Sequence, residues 1–215
     1  MTGKGSLNHN SRKFHAKNTD PNRTHWNVEY CNEDIKDVYH ELFDDALKRY
    51  NDKQTRKDRK IDDYYEKIRS GKQEKLFHEV ILQIGDKDNM GSETMEGQLA
   101  AKILDEYMKG FQERNPTLRV FAAHLHLDEA TPHLHIDFIP YVTGSKRGLD
   151  TRVSLKQALS SLGFKGGSRS ETELNQWVQS EKQKLAMVMR ENEIEWDQKG
   201  THEQHPVSYT HLRAH

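Results

Sequence analysis

Apolar side chains at Ile35, Val38, Tyr39, Leu42, Phe43, Ala46, Leu47 and Tyr50 recur at three- and four-residue spacing, which predicts a helix over 33–51. A second helix is expected over 57–70, stopped by Ser70-Gly71. From Leu76 to Ile84 the period falls to two, with Val80, Leu82 and Ile84 on one face and Glu79 and Gln83 on the other, so this segment reads as a strand. Leu99, Ile103, Tyr107 and Phe111, flanked by Ala100, Leu104 and Met108, mark a helix that ends before Pro116. Strands are expected over 118–128 and 133–141, joined by Glu129-Ala130-Thr131-Pro132, then helices near 154–163 and 170–192. Residues 1–32 lack periodicity and read as a loop with a short strand around Trp26–Tyr30. Helices covering an antiparallel β-sheet make the expected class α+β.

Composition narrows the function. The chain of 215 residues has one cysteine, Cys31, which excludes an internal disulfide framework and a cysteine-rich zinc site and fits a cytoplasmic location. No apolar run approaches a membrane span, so no membrane contact is expected from this segment. With 33 Lys+Arg against 34 Asp+Glu the chain is neutral overall, whereas a protein held to DNA by charge alone is basic. Two local runs are basic all the same. Lys4, Arg12, Lys13, Lys17 and Arg23 face only Asp20, and Lys53, Arg56, Lys57, Arg59 and Lys60 outnumber Asp52 and Asp58. The second run reads equally as a solvated helix face.

The chemistry is concentrated in the stretch His124-Leu-His126-Leu-Asp128-Glu129-Ala-Thr-Pro132-His133-Leu-His135-Ile-Asp137. Alternate strand positions share a face, so His124, His126 and Asp128 point one way while Phe121, Leu125 and Leu127 point the other. His133, His135 and Asp137 are likewise opposed to Leu134, Ile136 and Phe138. Folding the pair as a hairpin brings both histidine sets to one surface. Positions i and i+2 lie about 6.5–7 Å apart, which lets two imidazoles converge on one ion, and a third from the other strand completes a set with open positions. His126, His133 and His135 are the expected ligands, with His124 further from the turn in a supporting place. Three ligands and an open site suit a catalytic metal; imidazole by itself does not choose among the divalent ions.

His133-Leu134-His135 matches the His-hydrophobic-His signature of the HUH endonucleases, and the string 126–135 resembles the third motif of the Mob/Pre (MobV-type) plasmid mobilisation relaxases. His9-Asn10-Ser11-Arg12 is similar to that family's first motif, and Asp20-Pro-Asn-Arg23-Thr-His-Trp-Asn27-Val-Glu29-Tyr30 to its second. The resemblance implies a relaxase catalytic domain over 1–205 with the HUH fold, followed at 206–215 by a tail foreign to the pattern. It also implies a strand before the first motif, for which little chain precedes His9, and a C-terminal dimerisation region, expected to be absent here. The implied activity is metal-dependent nicking of one strand of single-stranded or supercoiled plasmid DNA at a transfer origin, leaving the protein joined to the 5′ phosphate. His9 is the implied nucleophile, with Tyr30 as fallback; Arg12 and Glu129 join it as catalytic residues, Arg12 through a bidentate phosphate contact. Mn2+ or Mg2+ is the expected ion. Arg12, Arg23, Asn27, Arg56 and Lys57 are expected on DNA, with Glu29, Glu79 and Asp128 in support. The rival readings are an HUH-type replication initiator or transposase, and a non-catalytic metal-stabilised DNA-binding module.

Overall fold

The computed structural model describes residues 7–14 and 16–195, together with the backbone of 213–214. The elements in chain order are α1 (Leu7–Asn10), β1 (Val28–Asn32), α2 (Ile35–Asp52), α3 (Tyr64–Ser70), β2 (His78–Gln83), α4 (Met95–Lys109), α5 (Phe111–Arg114), β3 (Leu118–His126), β4 (His133–Val142), β5 (Arg152–Val153), α6 (Leu155–Ser161), α7 (Glu173–Glu191) and β6 (Arg213–Ala214). All strands pair antiparallel in the order β1-β3-β4-β2-β6, with β5 on the end of β4, so the expected α+β class is what the chain adopts. Of the tail expected at 206–215, residues 206–212 and 215 lie outside the described residues, as do 1–6 ahead of α1.

Helix starts follow local capping. Asp34, Asp63, Thr94, Ser154 and Thr172 each accept, through the side chain, a hydrogen bond from a backbone N–H of the first turn of α2, α3, α4, α6 and α7. Asp63 also explains why the helix expected over 57–70 starts only at Tyr64. Lys57–Arg59 form a separate 3-10 turn, and the Asn51 side chain pins the intervening chain by bonding both the N–H (2.9 Å) and the carbonyl (2.7 Å) of Ile61. In the N-terminal segment, read as a loop, residues 7–10 make the one helical turn of α1. The short strand expected there lies slightly later, at β1.

The sheet separates two cores. On one face Val80, Leu82, Ala123, Leu125, Leu134, Ile136 and Phe138 pack beneath Ile103, Leu104 and Tyr107 of α4 and Trp177, Leu185 and Met189 of α7. On the other face Phe121, Ala122 and Ile139 pack beneath Val38, Tyr39 and Phe43 of α2 and Tyr64 of α3. The unbroken alternation expected along 118–128 is corrected by a bulge: Val120 pairs with Phe138 but Ala122 with Asp137, leaving Phe121 as the extra residue. Phe121 therefore joins the α2 side, edge-on to Phe77 at 5.5 Å, instead of lying with Leu125.

Register then determines what remains uncovered. His124 pairs with His135, His126 with His133, and Asp137 with both Ala122 and Glu79, so these side chains share the face covered by α2 and α3. The two helices cover that face only from Ala122 and Asp137 onward. The histidines occupy its other half.

His78 stacks on Phe138 at 6.0 Å and 21°. Burial, helped by the charge of Lys75, pushes its pKa down to about 4 from 6.5. Between those values the unfolded chain binds a proton that folded His78 refuses, so its effect is to erode stability as pH falls from about 6.5 to about 4. His78→Phe, which keeps the stack, should remove up to about 3 kcal/mol of that acid-side loss. Urea midpoints of both proteins across that window check this. Buried histidines shared by both proteins cancel in the difference.

Candidate active site

The turn between β3 and β4 is held from several directions. Asn27 accepts from the N–H groups of Leu127 (2.7 Å) and Asp128 (3.1 Å), and Arg23 Nη1 donates to the carbonyls of Leu127 (3.1 Å) and Glu129 (3.2 Å). Ser92 Oγ donates to the Glu129 carbonyl at 2.8 Å. Ser92 is carried by a loop that lies close against α4: a Cβ on Gly97 would sit 1.9 Å from the Gly91 carbonyl, so only glycine fits. Arg23 and Asn27, expected on DNA, thus hold protein backbone, and Arg23 also pairs with Asp20 at 3.1 Å.

Residues 9–12 cross the bare half of the sheet. Arg12 clamps Asp128 with both ends of its guanidinium, through Nε at 2.9 Å and through Nη2, and Nη2 also donates to Glu129 at 2.8 Å. The bidentate partner expected of Arg12 was a phosphate; in the structure it is Asp128, and the Arg12 side chain is only 8% exposed. Burial works to raise the Asp128 pKa, but Arg12, through its hydrogen bonds and its charge, wins and brings it down to about 2. Asn10, which no pattern singled out beyond its place between His9 and Arg12, is buried, and its amide donates to Glu79 (2.8 Å) and Asp137 (3.2 Å).

Each of the three expected ligands has one ring nitrogen occupied by an acceptor. His126 Nε2 donates to the Asn10 carbonyl (2.8 Å), His133 Nδ1 to the Thr131 carbonyl (2.8 Å) and His135 Nδ1 to Glu79 (2.6 Å). Carbonyl and carboxylate oxygens only accept, so these nitrogens carry the protons. The unprotonated ones are His126 Nδ1, His133 Nε2 and His135 Nε2. Ligand atoms of the three residues lie within 4.8 Å of one another, His126 Nδ1 and His133 Nε2 at 3.4 Å. His135 Nε2 is buried with no hydrogen-bond partner among the described residues. Lone pairs facing each other in a buried place repel unless a cation sits among them, so the donor set fits a divalent ion. Burial, and then the neighbouring histidines, push the His126 pKa down to about 2 and that of His133 to about 4, so both rings are neutral at pH 7. Asp137 moves the opposite way, to about 8, through burial and the charge of Glu79.

His9 lies beside this cluster, its ring 6.0 Å from that of His126 and edge-on to it. Its Nε2 is 3.2 Å from Arg12 Nη1 and 3.4 Å from Glu129 Oε1. Glu129, which also accepts from Asn18 at 2.6 Å, stands 3.7 Å from His133 Nε2. Ligand atoms of His9, His126 and Glu129 form a second group within 4.8 Å. Glu79, expected as support, reaches the centre, whereas Glu29 stays exposed, 3.8 Å from His124 Nδ1. Burial lowers the His124 pKa too. Tyr30 is on the wrong side: its hydroxyl donates to Asp105 of α4 at 2.8 Å and its ring packs on the α4–α7 core. Arg56 and Lys57 are exposed, and Arg56 pairs with Asp58 at 2.6 Å.

A family model described as Mob_Pre, plasmid recombination enzyme, matches residues 5–193. No curated protein matches the chain. Among solved structures, the MobM relaxase domain (MOBV; Mob_Pre) bound to 22 nucleotides of plasmid pMV158 oriT DNA, in a Mn-bound crystal at pH 5.5, aligns with a TM-score of 0.51 at 24% identity, over 94% of this chain and 86% of that one. The same domain crystallised at pH 4.6 gives 0.51 and 23%, over 94% and 87%. At such identity the likeness is one of fold.

Replacing Arg12 tests its structural place. Arg12→Ala leaves the fully buried Asp128 carboxylate without its main partner, so unfolding stability should fall by about 3–5 kcal/mol at pH 7. An arginine serving phosphate alone would leave the urea midpoint of the DNA-free protein unchanged.

Proposed function

We propose, from the premise that this chain belongs to the Mob_Pre family of plasmid recombination enzymes, that it nicks one strand of plasmid DNA at a transfer origin and stays joined to the 5′ phosphate through His9. The observation that supports this best is the position of His9 beside three histidines whose ligand atoms lie within 4.8 Å of one another. A divalent ion held by His126, His133 and His135 would polarise and orient the scissile phosphate. Mn2+ or Mg2+ is the proposed ion, and the MobM domain of similar fold is Mn-bound.

The protein groups do the rest. The His9 imidazole offers a ring nitrogen that attacks phosphorus directly. One P–N bond forms and the P–O3′ bond breaks, the 3′ oxygen leaving with a proton from solvent. Positive charge builds on the ring during attack, and the Glu129 carboxylate, 3.4 Å from Nε2, lies where it stabilises that charge. Arg12 and Asn18 keep Glu129 in place. A tyrosine nucleophile has no support at the site, because Tyr30 is fastened to α4 on the opposite face. DNA contacts are proposed for the exposed run including Arg56 and Lys57.

His9→Ala should bind Mn2+ like the parent and form no covalent adduct with a labelled transfer-origin oligonucleotide on a denaturing gel. His133→Ala and His135→Ala should lose both metal and adduct. A phosphoramidate is acid-labile, so brief acid should release DNA from the wild-type adduct. An acid-stable adduct, or one that survives His9→Ala, would overturn the histidine mechanism.

Replacing Arg56, Lys57, Arg59 and Lys60 by Gln should weaken single-strand binding and flatten its salt dependence, by about 0.7 in log–log slope for each phosphate no longer neutralised. An unchanged slope would assign the run to solvent.

A further inference from the structure

We propose that Asn10 is a positioning residue that couples metal occupancy to the placement of the His9 segment; this rests on the metal reading above. Its backbone carbonyl receives the N–H of His126 at 2.8 Å, and its side-chain amide donates to the same Glu79 oxygen that receives the N–H of His135 at 2.6 Å. One residue thereby touches the partners of two of the three ligands, and a third contact, to Asp137 at 3.2 Å, completes its two amide donors. Asn10 is 2% exposed and adjoins His9, while Arg12, two positions on, is clamped to Asp128.

The coupling follows from the chemistry of imidazole. A cation held by His126 would draw electron density from its ring and make the Nε2–H a stronger donor, tightening the bond to the Asn10 carbonyl. On His135 the same effect would strengthen Nδ1–H toward Glu79, the carboxylate that holds the Asn10 amide. Leu7, packed at the edge of the α2 core, anchors the start of the segment, and the Asn10 bonds hold its middle. By reciprocity, whatever metal contributes to fixing the segment, fixing the segment contributes to metal affinity. The His9 segment is then held more firmly when the ion is bound, in addition to the Arg12 clamp that holds it in either case.

Two readouts independent of DNA cleavage test this. Mn2+ titrated into purified protein should bind about 10–100-fold more weakly to Asn10→Ala and to the similarly sized Asn10→Leu, which lacks the donor. Trypsin cleavage at the exposed Lys13 and Lys17 should be slowed by Mn2+ relative to chelator in the wild type, and that difference should shrink in both variants. Asn10→Leu, which leaves no cavity, guards against a folding defect, since unchanged far-UV circular dichroism with lost coupling still supports the proposal. Wild-type affinity, or undiminished Mn2+ protection, in a folded variant would overturn it. Absence of Mn2+ binding by the wild type would instead overturn the metal site itself.

Discussion

The antiparallel register of β3 against β4 is the constraint on which everything at the site depends. His126 opposite His133 and His124 opposite His135 put four imidazoles on one face, and a slip of one residue would send one strand's histidines into the apolar core. That slip is prevented from the other face, where Leu125, Leu134, Ile136 and Phe138 are buried against α4 and α7. The burial of aliphatic side chains on one side thus determines the geometry of polar chemistry on the other. The bulge at Phe121 adds to this. It reverses the alternation, so the end of β3 beyond it contributes Phe121 and Ala122 to the second core while the end before the turn contributes His124 and His126 to the site.

The cluster itself would be unstable without the segment laid across it. Asp128, Asp137 and Glu79 are buried acids, and burial of a charge is costly unless it is paired. Arg12 answers Asp128, Asn10 answers Glu79 and Asp137, and His135 answers Glu79 a second time. Arg12 does so at a backbone φ of 51°, a left-handed conformation that costs a non-glycine residue about 1–2 kcal/mol and persists because the guanidinium clamp over-determines it. The strained residue is three positions from His9, and its Nη1 reaches both the backbone oxygen and the ring of His9.

A comparable arrangement on the far side of the sheet has no chemistry attached. Glu181 of α7 is buried and accepts from Tyr107 (2.5 Å), Arg114 (3.2 Å) and Asn115 (3.2 Å), and Asn115 accepts from Trp177 at 2.8 Å. The Glu181 oxygens are met within the protein, Arg114 Nε alone of this group being left without a partner among the described residues, and the network serves to fasten α7 to α4 and α5. The candidate site differs in gathering several such groups in one place: His124 Nε2, His135 Nε2 and Asp137 Oδ1 are buried with no hydrogen-bond partner among the described residues, and His124 pairs across the strands with His135. Buried polarity alone does not mark a site; incomplete satisfaction among converging donors does.

Local pattern was enough to determine the helices with a clear apolar stripe, the two histidine strands, the convergence of His126, His133 and His135 and the family resemblance, because each rests on spacing along a single segment. The strand period put Glu79 opposite Val80 but did not say whether it met solvent or the site; pairing with Asp137 across β2 and β4 decided that. The start of α3, the bulge at Phe121 and the turn of α1 escaped because Asn51, Phe77 and Glu79 act on them from distant parts of the chain. Arg12, Arg23 and Asn27 were legible as phosphate-binding types, yet a guanidinium or an amide bonds an aspartate or a backbone group as readily as a phosphate. Which partner each one meets depends on the turn at 127–129 packing over them, and that packing exists only once β3 and β4 have paired.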